Sequence, residues 1–369
     1  MNVSSTEGIV LDRSEPSRFE SSDSPVEWLG SGSGGTNRCA RLAVVAILAI
    51  AACKPKPNEV VVYTSVDQVV SEPVLRDFEK QTGITVRAVF DTEETKSTGV
   101  LNRLVAEADH PQADVFWSGD PVRPFVLVKR GLVERYVSPN AAGIPAQFKA
   151  EDGTWTGFAA RARVLLVNRD KLGPATPPSS IQELADPRWR GQTAIANPVF
   201  GTTTMQAASW FAMWGDDTAK AFFGKLRAND INVASSNGEV KRLVASGEVT
   251  FGLTDTDDAH EAITDKAPVF VVYPDQDAAG TLVMPTAVVI VTGGPHPDRA
   301  KQLVDYLLTA PVEQKLAASA AQMPLRAGVA VPEGVRRVSD VKTTTADYAR
   351  VADTMERIQP WLREWSGVQ

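Results

Sequence analysis

Residues 60–90 read VVVYTSVDQVVSEPVLRDFEKQTGITVRAVF, and this stretch decides the fold. Residues 60–63 form a short apolar run that suits a buried strand. Apolar residues then recur at helical spacing over 70–78, and Gly83 ends the predicted helix. Residues 84–90 are the next predicted strand. A strand, a helix and a second strand in succession indicate a parallel sheet with a crossover helix.

The same alternation continues along the chain. Further strands are predicted at residues 114–117, 164–167, 194–197, 249–253, 269–273 and 287–291, and helices at 100–107, 122–130, 205–214, 239–245, 299–308, 312–320 and 345–365. Residues 140–157 are rich in Ala, Gly and Pro and are predicted to be a loop. The predicted fold class is α/β, in two lobes, although periodicity alone would also allow a single barrel.

Composition narrows the classes of partner and site. The 369 residues carry 38 Lys and Arg against 45 Asp and Glu, a net charge of -7. Nucleic acid is therefore excluded as the main partner, because phosphate binding needs a basic face. With only two Cys and three His, the sequence also excludes thiolate zinc sites and His-rich metal sites.

The N-terminal region has the features of an export signal. Residues 1–37 are polar and rich in Ser and Gly, which predicts a disordered leader, and a short basic stretch follows. Residues 42–52, LAVVAILAIAA, are too few to span a bilayer but suit the apolar core of a secretory signal. Small residues before Cys53 resemble a bacterial lipobox, which implies cleavage before Cys53 and its lipidation. The alternatives are a plain signal peptide with an incidental cysteine, or a buried helix.

Six short motifs occur in one order along the chain. They are YTSVD at 63–67, FEKQTGI at 78–84, ADVFW at 113–117, RARV at 161–164, DPRWRG at 186–191 and MPLR at 323–326. Together they resemble the ferric-ion-binding branch of the periplasmic solute-binding proteins. The resemblance implies a type II periplasmic-binding-protein fold, with two lobes that are each a mostly parallel sheet flanked by helices. Two strands would cross between the lobes, which close on a ligand.

The resemblance also implies an organisation and a role. Residues 1–53 would be leader and signal peptide, 58–143 with 285–335 the first lobe, and 163–284 with 336–369 the second. The protein would be a monomeric, non-enzymatic substrate-binding component of an ABC-type importer, held in the periplasm or at the cell surface by a lipid anchor only. Its partners would be a small ligand and permease subunits. It would need no cofactor, and Fe³⁺ with an anion would be cargo.

The metal-ligand positions of that family are altered here. The family places two adjacent tyrosines late in the second lobe, where this chain has Asp257 and Asp258. The family's early histidine falls on Asp67, and its acid after ADVF falls near Asp120. With Asp255, these carboxylates are the candidate ligand contacts, and all but Asp255 are candidate metal ligands, since carboxylates suit hard cations. They suit amino or hydroxyl groups equally well, and the Asp run also fits a helix cap and a solvated turn.

A second group of residues favours an anion. The candidate contacts are Gly201, Thr202 and Thr203 at a predicted helix start, Asn237 at another, Arg161 and Arg163 before a strand, and Glu93 in the loop after the second strand. Helix N-termini bind anions, and two guanidiniums on one strand face can clamp one. The alternatives are ordinary capping, a salt bridge between lobes, and a solvated loop.

Three functions remain open from the sequence. The first is capture of ferric ion with a synergistic anion, and the second is capture of a phosphorylated or phosphonate-bearing small molecule. The third is an exported metal-dependent hydrolase that uses the Asp cluster. The sequence has no Walker loop, no HExxH and no serine nucleophile elbow, and only His260 lies near the cluster as a base. Transport is therefore favoured over catalysis.

Overall fold

The computed structural model describes residues 58–91 and 99–367, and all structural statements concern these residues. The predicted leader, the signal segment with Cys53, and Glu93 lie outside them. Among the described helices, none is both long enough and apolar enough to cross a bilayer.

Ten strands of the described chain pair into one continuous sheet. In chain order they are β1 (Glu59–Thr64), β2 (Thr85–Phe90), β3 (Val115–Ser118), β4 (Val133–Glu134), β5 (Thr156–Asn168), β6 (Thr193–Ala196), β7 (Asn232–Ala234), β8 (Phe251–Asp255), β9 (Val269–Val272) and β10 (Val283–Val291). The order across the sheet is β2-β1-β3-β10-β5-β8-β6-β7, with β4 beside β10 and β9 beside β5.

Strand direction divides this sheet into two halves. In the first half β1 pairs in parallel with β2 and β3, and in the second β6 pairs in parallel with β7 and β8. Every pair that includes β5 or β10 is antiparallel. The two halves are therefore parallel α/β units that are joined by two long antiparallel strands.

Helices connect and cover the strands. They are α1 (Gln68–Thr82), α2 (Gly99–Ala106), α3 (Val122–Lys129), α4 (Arg169–Leu172), α5 (Gly201–Trp214), α6 (Asp216–Ala228), α7 (Asn237–Ala245), α8 (Thr256–Thr264), α9 (Pro297–Leu307), α10 (Ala310–Ala320) and α11 (Tyr348–Ser366). Two short 3₁₀ turns, Pro139–Ala141 and Ala146–Phe148, lie in the predicted loop before β5.

The stretch 60–90 folds as its pattern predicts. Val74 and Phe78 are buried on one face of α1, and the chain leaves the helix at Gly83 with φ 68°, a left-handed conformation that favours glycine. The crossover returns β2 parallel to β1, with Val60 opposite Val86. Local periodicity was therefore sufficient to define this unit.

The predicted strand at 164–167 was too short. The structure extends β5 to thirteen residues, Thr156–Asn168, so that Arg161 and Arg163 lie inside the strand rather than before it. Two arginines alternating with alanine obscured a segment that is buried almost throughout. Likewise β10 begins at Val283, upstream of the predicted start at 287. β5 is long because it pairs with β10 and continues into the second half beside β8 and β9, and β10 is long because it pairs with β5 and continues beside β3 and β4.

The crossing strands are irregular where the halves meet. The register between β5 and β10 shifts at Pro285 and Thr286, and opposite this shift Ala159 adopts φ 48°. The buried carboxylate of Glu313 accepts the N–H of Ala159 and the N–H of Leu325. A bulge with a left-handed alanine is a strained conformation for a non-glycine residue, and here surrounding hydrogen bonds hold it in place.

The C-terminal helix α11 contacts both halves. Trp361 packs on Phe211 of α5 with ring centroids 5.2 Å apart. Tyr348, at the other end of α11, packs edge-on against Trp155, which directly precedes β5. The division of the chain into 58–143 with 285–335 and 163–284 with 336–369 therefore stays a proposal.

Two helices, the four-residue α4 and the longer α6, had no counterpart in the sequence prediction. The helix α6 buries Ala219, Phe222, Phe223 and Leu226, a spacing that is itself helical. The signal was thus present in the sequence. The short strands β4 and β7 were also not predicted, because two or three residues carry too little periodicity.

Candidate functional site

A cleft of about 350 Å³ lies at the junction of the two halves. The first half contributes residues that follow β1 and β3, and the second half contributes residues that follow β6, β7 and β8. These are the carboxyl ends of parallel strands, which is where α/β sheets bind ligands. The N-terminal turns of α5, α7 and α8 also line the cleft.

Arg161 connects the two halves across the cleft. Its Nη2 donates to the carbonyl oxygen of Gly119 in the first half at 2.9 Å, and its Nη1 lies 3.4 Å from Asp257 Oδ2 in the second. Burial lowers the pKa of Arg161, but the charges of Asp257 and Asp255 outweigh it and raise the pKa overall. The guanidinium therefore stays charged and is already held between the two walls.

Arg163 lies behind the cleft wall and is fully buried. Its Nη1 donates to Asp255 Oδ1 at 2.7 Å and to the side-chain oxygens of Thr202 and Asn237, both at 3.1 Å, and its Nη2 donates to Thr203. These five residues are hereafter called the buried network. The expected pair of arginines that clamps an anion is therefore not formed: the two residues share Asp255, but only Arg161 lines the cleft.

Three members of the buried network, Asp255, Thr202 and Asn237, were predicted from the sequence to contact the ligand, and in the structure they also bond to one another. Asp255 is 1% exposed, and its Oδ2 accepts the hydroxyl of Thr202 at 2.8 Å and the amide of Asn237 at 3.1 Å. Burial alone would raise the pKa of Asp255, but the charges of Arg163 and Arg161 hold it below the usual range. The three side chains thus fix the starts of α5, α7 and α8 relative to one another.

Asp255, Asp257 and Asp258 form a compact acidic cluster. One carboxylate oxygen from each lies within 4.8 Å of the others, at the N-terminus of α8. Asp255 occupies the cap position but makes no side-chain cap hydrogen bond. Asp257 Oδ1 accepts the N–H of Asp258, and Asp258 Oδ2 accepts the hydroxyl of Thr254. The predicted cap therefore does not account for these carboxylates.

Ionisation of all three carboxyl groups in the acidic cluster is unfavourable. Burial first, and then the charges of Asp257 and Asp255, raise the pKa of Asp258 to about 7. Burial, and then Asp255, also raise the pKa of Asp257, although Arg161 opposes this. Carboxylates that are crowded in this way favour a positively charged group that would neutralise them.

The two acids that the first half contributes to the cleft, Asp67 and Asp120, have different surroundings. Asp67 lines the cleft at the start of α1, and its charge helps to raise the pKa of Arg161. Asp120 is 2% exposed; its Oδ1 accepts the N–H groups of Val122 and Arg123, and its Oδ2 pairs with the Arg123 guanidinium. Asp120 therefore lines the cleft with both of its oxygens already bonded within the chain.

Several lining residues were not singled out from the sequence. Lys241 on α7 pairs with Glu261 on α8 at 2.6 Å at the cleft, and Phe200 lies before α5 with 47% of its surface exposed. Thr286 and Gln322 line the part near the crossing strands. The spacing of residues in the sequence does not identify these four as cleft residues, because each reaches the cleft through packing between distant segments.

The predicted absence of a tyrosine pair can be examined directly, because all five tyrosines are described. Tyr63 donates to Glu107 and Tyr136 donates to Asp305, both away from the cleft, and Tyr273 stacks against Arg336. Among the described residues that line the cleft there is no tyrosine. The phenolate ligands of the ferric-ion-binding branch thus have no equivalent in the described cleft.

Comparisons with known proteins agree with this architecture. Iron uptake protein A1 of Synechocystis sp. is 26% identical over 310 residues, which cover 81% of this chain and 84% of that protein. A Salmonella typhimurium protein named "Putative 2-aminoethylphosphonate-binding periplasmic protein" is 24% identical over 342 residues, 90% and 94% of the two chains. Iron-bound HitA from Pseudomonas aeruginosa superposes with a TM-score of 0.74 at 21% identity, covering 83% of this chain and 99% of that one.

These likenesses confirm the two-lobed α/β fold and the resemblance that the motifs indicated. The family model described as bacterial extracellular solute-binding protein matches residues 111–351, more than half of the chain. Together with a cleft at the strand ends of two α/β halves, this match shows that the chain belongs to the bacterial extracellular solute-binding proteins, the substrate-binding components of ABC-type import systems.

Proposed function

We propose that the protein is exported and that its cleft captures a small organic zwitterion for import. The anionic end of the ligand is a phosphonate, phosphate or carboxylate, and the cationic end is an amine. The observation that carries this proposal is the balance of charge in the cleft, where acidic side chains outnumber basic ones beside a group of anion-binding features.

The charge balance follows from the pairing of the lining residues. Asp120 and Asp255 are neutralised by Arg123 and Arg163. Apart from Asp67, the remaining charged residues that line the cleft are three acids and two bases. The acids are Asp257, Asp258 and Glu261, and the bases are Arg161 and Lys241. Acidic side chains are therefore in excess, and the ionised forms of Asp257 and Asp258 repel each other. An ammonium group is the favoured occupant beside them, because it would stabilise both carboxylates.

An anionic end is supported on the other side of the cleft. Gly201 and Thr203 line the cleft in the first turn of α5, and Ser236 and Gly238 line it at the start of α7. Two helix N-termini present N–H groups to an anion, and Lys241 on α7 adds a positive charge. Lys241 is now paired with Glu261, and it exchanges that carboxylate for the anion of the ligand.

The size of the cleft supports an organic ligand. About 350 Å³ lies within the range of small-molecule sites and is far more than a bare metal ion fills. The relative whose printed name includes 2-aminoethylphosphonate covers nearly the whole chain. That compound carries one phosphonate and one amine, the two kinds of end proposed for the ligand, and it is the probe used below.

A second candidate ligand is a hard cation with an organic chelator. It is favoured by one observation, the three carboxylate oxygens of Asp255, Asp257 and Asp258 within 4.8 Å. Carboxylates bind hard cations such as Fe³⁺ well. Relatives and structural neighbours include proteins named for iron uptake or iron binding. A chelator would fill the remaining volume.

The cleft supports binding rather than catalysis. His260, the single base near the acidic cluster in the sequence, is not among the described residues that line the cleft. It lies instead beside Tyr273 and Arg336 in a small depression on the far side of α8. A hydrolase would need a placed nucleophile or water activator, and no described lining residue is paired with a base in that way.

We also propose that the halves close on the ligand, with β5 and β10 as the hinge. Arg161 supports this, since one guanidinium contacts Gly119 of the first half and Asp257 of the second. Domain closure around a ligand bends a few residues at the crossing strands, where the bulge at Pro285 and the left-handed Ala159 lie. The permease subunits of the importer are the proposed protein partner, with this chain acting as a monomer.

The ligand is tested by isothermal titration of the purified protein after treatment with a chelator. We expect 2-aminoethylphosphonate to bind, and ethylphosphonate and ethylamine, which each lack one end, to bind at least about tenfold more weakly. The reason is that a hydrogen bond to a charged group contributes about 1.5–3 kcal/mol. If ethylphosphonate binds as tightly as the zwitterion, the acidic cluster does not recognise the amine of the ligand. Binding of Fe³⁺ with citrate, and of no zwitterion, would favour the second candidate.

Anchoring at Cys53 is proposed from the order of basic, apolar and small residues before it. We expect Cys53→Ser to block lipid attachment and to move the protein from the membrane fraction to the soluble fraction, or to leave it unprocessed. Metabolic labelling with a fatty acid and fractionation of cells measure this. Cys39→Ser is the matched control. Cys39 lies before the apolar stretch, so this substitution should leave the fractionation unchanged. A Cys53→Ser protein that is labelled and fractionates like the wild type would contradict the anchor.

A further inference from the structure

We infer that Gln322 and Thr286 form a third recognition point at the floor of the cleft, which accepts a hydrogen bond from a hydroxyl or N–H group of the ligand. This inference rests on the proposed capture of a zwitterion and adds to it. The ligand class becomes a zwitterion that carries a further hydrogen-bond donor between or beside its two charged ends.

Gln322 is the first observation. It lines the cleft, yet the residue is only 4% exposed. Its Oε1 has no hydrogen-bond partner in the described part of the chain. A buried amide oxygen almost always accepts a hydrogen bond in a folded protein, so an oxygen of this kind at a binding cleft indicates a donor on the ligand.

The backbone around Gln322 is the second observation. Ala321, directly before it, ends α10 in the left-handed conformation with φ 50°, which is strained for a residue with a Cβ. Met323, directly after it, exchanges two backbone hydrogen bonds with Ala160, at 2.7 and 2.8 Å. Gln322 is therefore held between a strained turn and a fixed strand contact, directly before the residue that lies opposite Ala160.

Thr286 gives the floor a second acceptor. It is 1% exposed, lines the cleft and belongs to β10, the other crossing strand. Its hydroxyl donates a hydrogen bond to the carbonyl oxygen of Phe158 at 2.6 Å, so the hydroxyl oxygen can only accept a hydrogen bond from a ligand. The Thr286 oxygen and Gln322 Oε1 are two acceptors, and the Gln322 amide also carries N–H donors. A ligand hydroxyl, which can donate to the floor and also accept, is therefore the complementary group.

The motif MPLR, which the resemblance singled out, has a role in this arrangement. Arg326 Nε lies 3.3 Å from Glu313 Oε2, and Glu313 in turn accepts the N–H of Ala159 and of Leu325. The motif thereby ties the segment after Gln322 to the bulge in β5. The floor is consequently part of the hinge, and a ligand that bonds to it contacts the region that moves when the halves close.

The test compares two ligands and two variants. The ligands are 2-aminoethylphosphonate and 1-hydroxy-2-aminoethylphosphonate, which differ by one hydroxyl. The variants are Gln322→Leu and its matched control Gln206→Leu. Gln206 on α5 is also buried, at 3% exposure, and its Oε1 also has no partner in the described chain, but it does not line the cleft. Kd is measured by titration, and Tm is measured without ligand.

For the wild type we expect the hydroxylated ligand to bind at least tenfold more tightly than the parent compound. In Gln322→Leu this advantage should disappear, whereas Gln206→Leu should retain it. Without ligand, neither variant should lower Tm, because each removes a buried oxygen that has no partner. A structural role for Gln322 would instead lower Tm and weaken both ligands equally, which would overturn the inference.

The outcome also separates this inference from the proposed function. If neither ligand binds the wild type, the proposed capture of a zwitterion fails. If both bind the wild type with equal affinity, the zwitterion site stands and the recognition point at the floor is wrong. A hydroxyl advantage that survives in Gln322→Leu would likewise overturn it.

Discussion

Replacing both Asp257 and Asp258 by Asn is expected to abolish capture of 2-aminoethylphosphonate and, at the same time, to stabilise the unliganded protein above pH 7. The loss of binding follows from removing two charged acceptors beside the ligand's amine. At about 1.5–3 kcal/mol each, these contacts correspond to a decrease in affinity of at least about 100-fold. Titration calorimetry of the double variant measures it.

The gain in stability follows from the crowding of the acids. The folded protein keeps the carboxyl of Asp258 protonated up to about pH 7, whereas an unfolded aspartate releases its proton near pH 4. For a pKa that is raised by folding, the stabilising contribution is complete below about pH 4 and is lost as the pH rises through about 7. The double variant lacks this loss, so the gap in Tm between variant and wild type should widen from pH 5 to pH 8.

The control for this experiment is Asp265→Asn. Asp265 is exposed at the other end of α8, so it shares the helix but not the cleft. It should change neither the affinity nor the dependence of Tm on pH, when all proteins are kept in EDTA. Full binding by the double variant would mean that Asp257 and Asp258 form only a solvated turn. A Tm gap that is the same at every pH would contradict the crowding of charge.

Asp255→Asn is expected to cause the largest loss of folding stability of any single cleft substitution. It removes the charge that compensates the fully buried guanidinium of Arg163, and it weakens the hydrogen bonds to Thr202 and Asn237. Breaking a buried ion pair by removing one partner costs about 3–5 kcal/mol. Urea unfolding, followed by circular dichroism, gives the change in the free energy of unfolding.

Asp216→Asn provides a matched control for that substitution. Asp216 pairs with Arg357 through two contacts, at 2.6 and 2.9 Å, which are close in length to the 2.7 Å contact between Asp255 and Arg163. Both of its members are substantially exposed, however, and water solvates the arginine once the partner is gone. The decrease in the free energy of unfolding caused by Asp216→Asn should be close to the experimental error. Equal losses in the two variants would mean that Arg163 finds another partner and that the buried network does not stabilise the fold.

The two experiments together distinguish two kinds of acid within one run of sequence. Asp255 is ionised and compensated by arginines, so it stabilises the protein, whereas Asp258 is crowded and destabilises it until a ligand arrives. Binding sites often retain groups that lower stability because those groups recognise the ligand. The opposite signs predicted for Asp255→Asn and for the double variant at Asp257 and Asp258 test this difference directly.

Much of the fold followed from the sequence by itself. The unit β1-α1-β2 was predictable because helical and strand periodicity are local, and because Gly83 ends the helix where a left-handed residue is required. The placement of Asp257 and Asp258 at a cleft also followed, since they come directly after a strand of a parallel sheet. The motifs were enough to indicate the family and the class of function.

The division of roles within the cleft was decided only by the tertiary structure. Arg161 and Arg163 are two residues apart on one strand and look equivalent in the sequence, but the starts of α5 and α7 enclose Arg163 and leave Arg161 at the cleft. Gln322 and Lys241 reach the same cleft from segments about 80 residues apart. Burial and the pairing of charges depend on which distant segments pack together, and a local pattern carries no record of that packing.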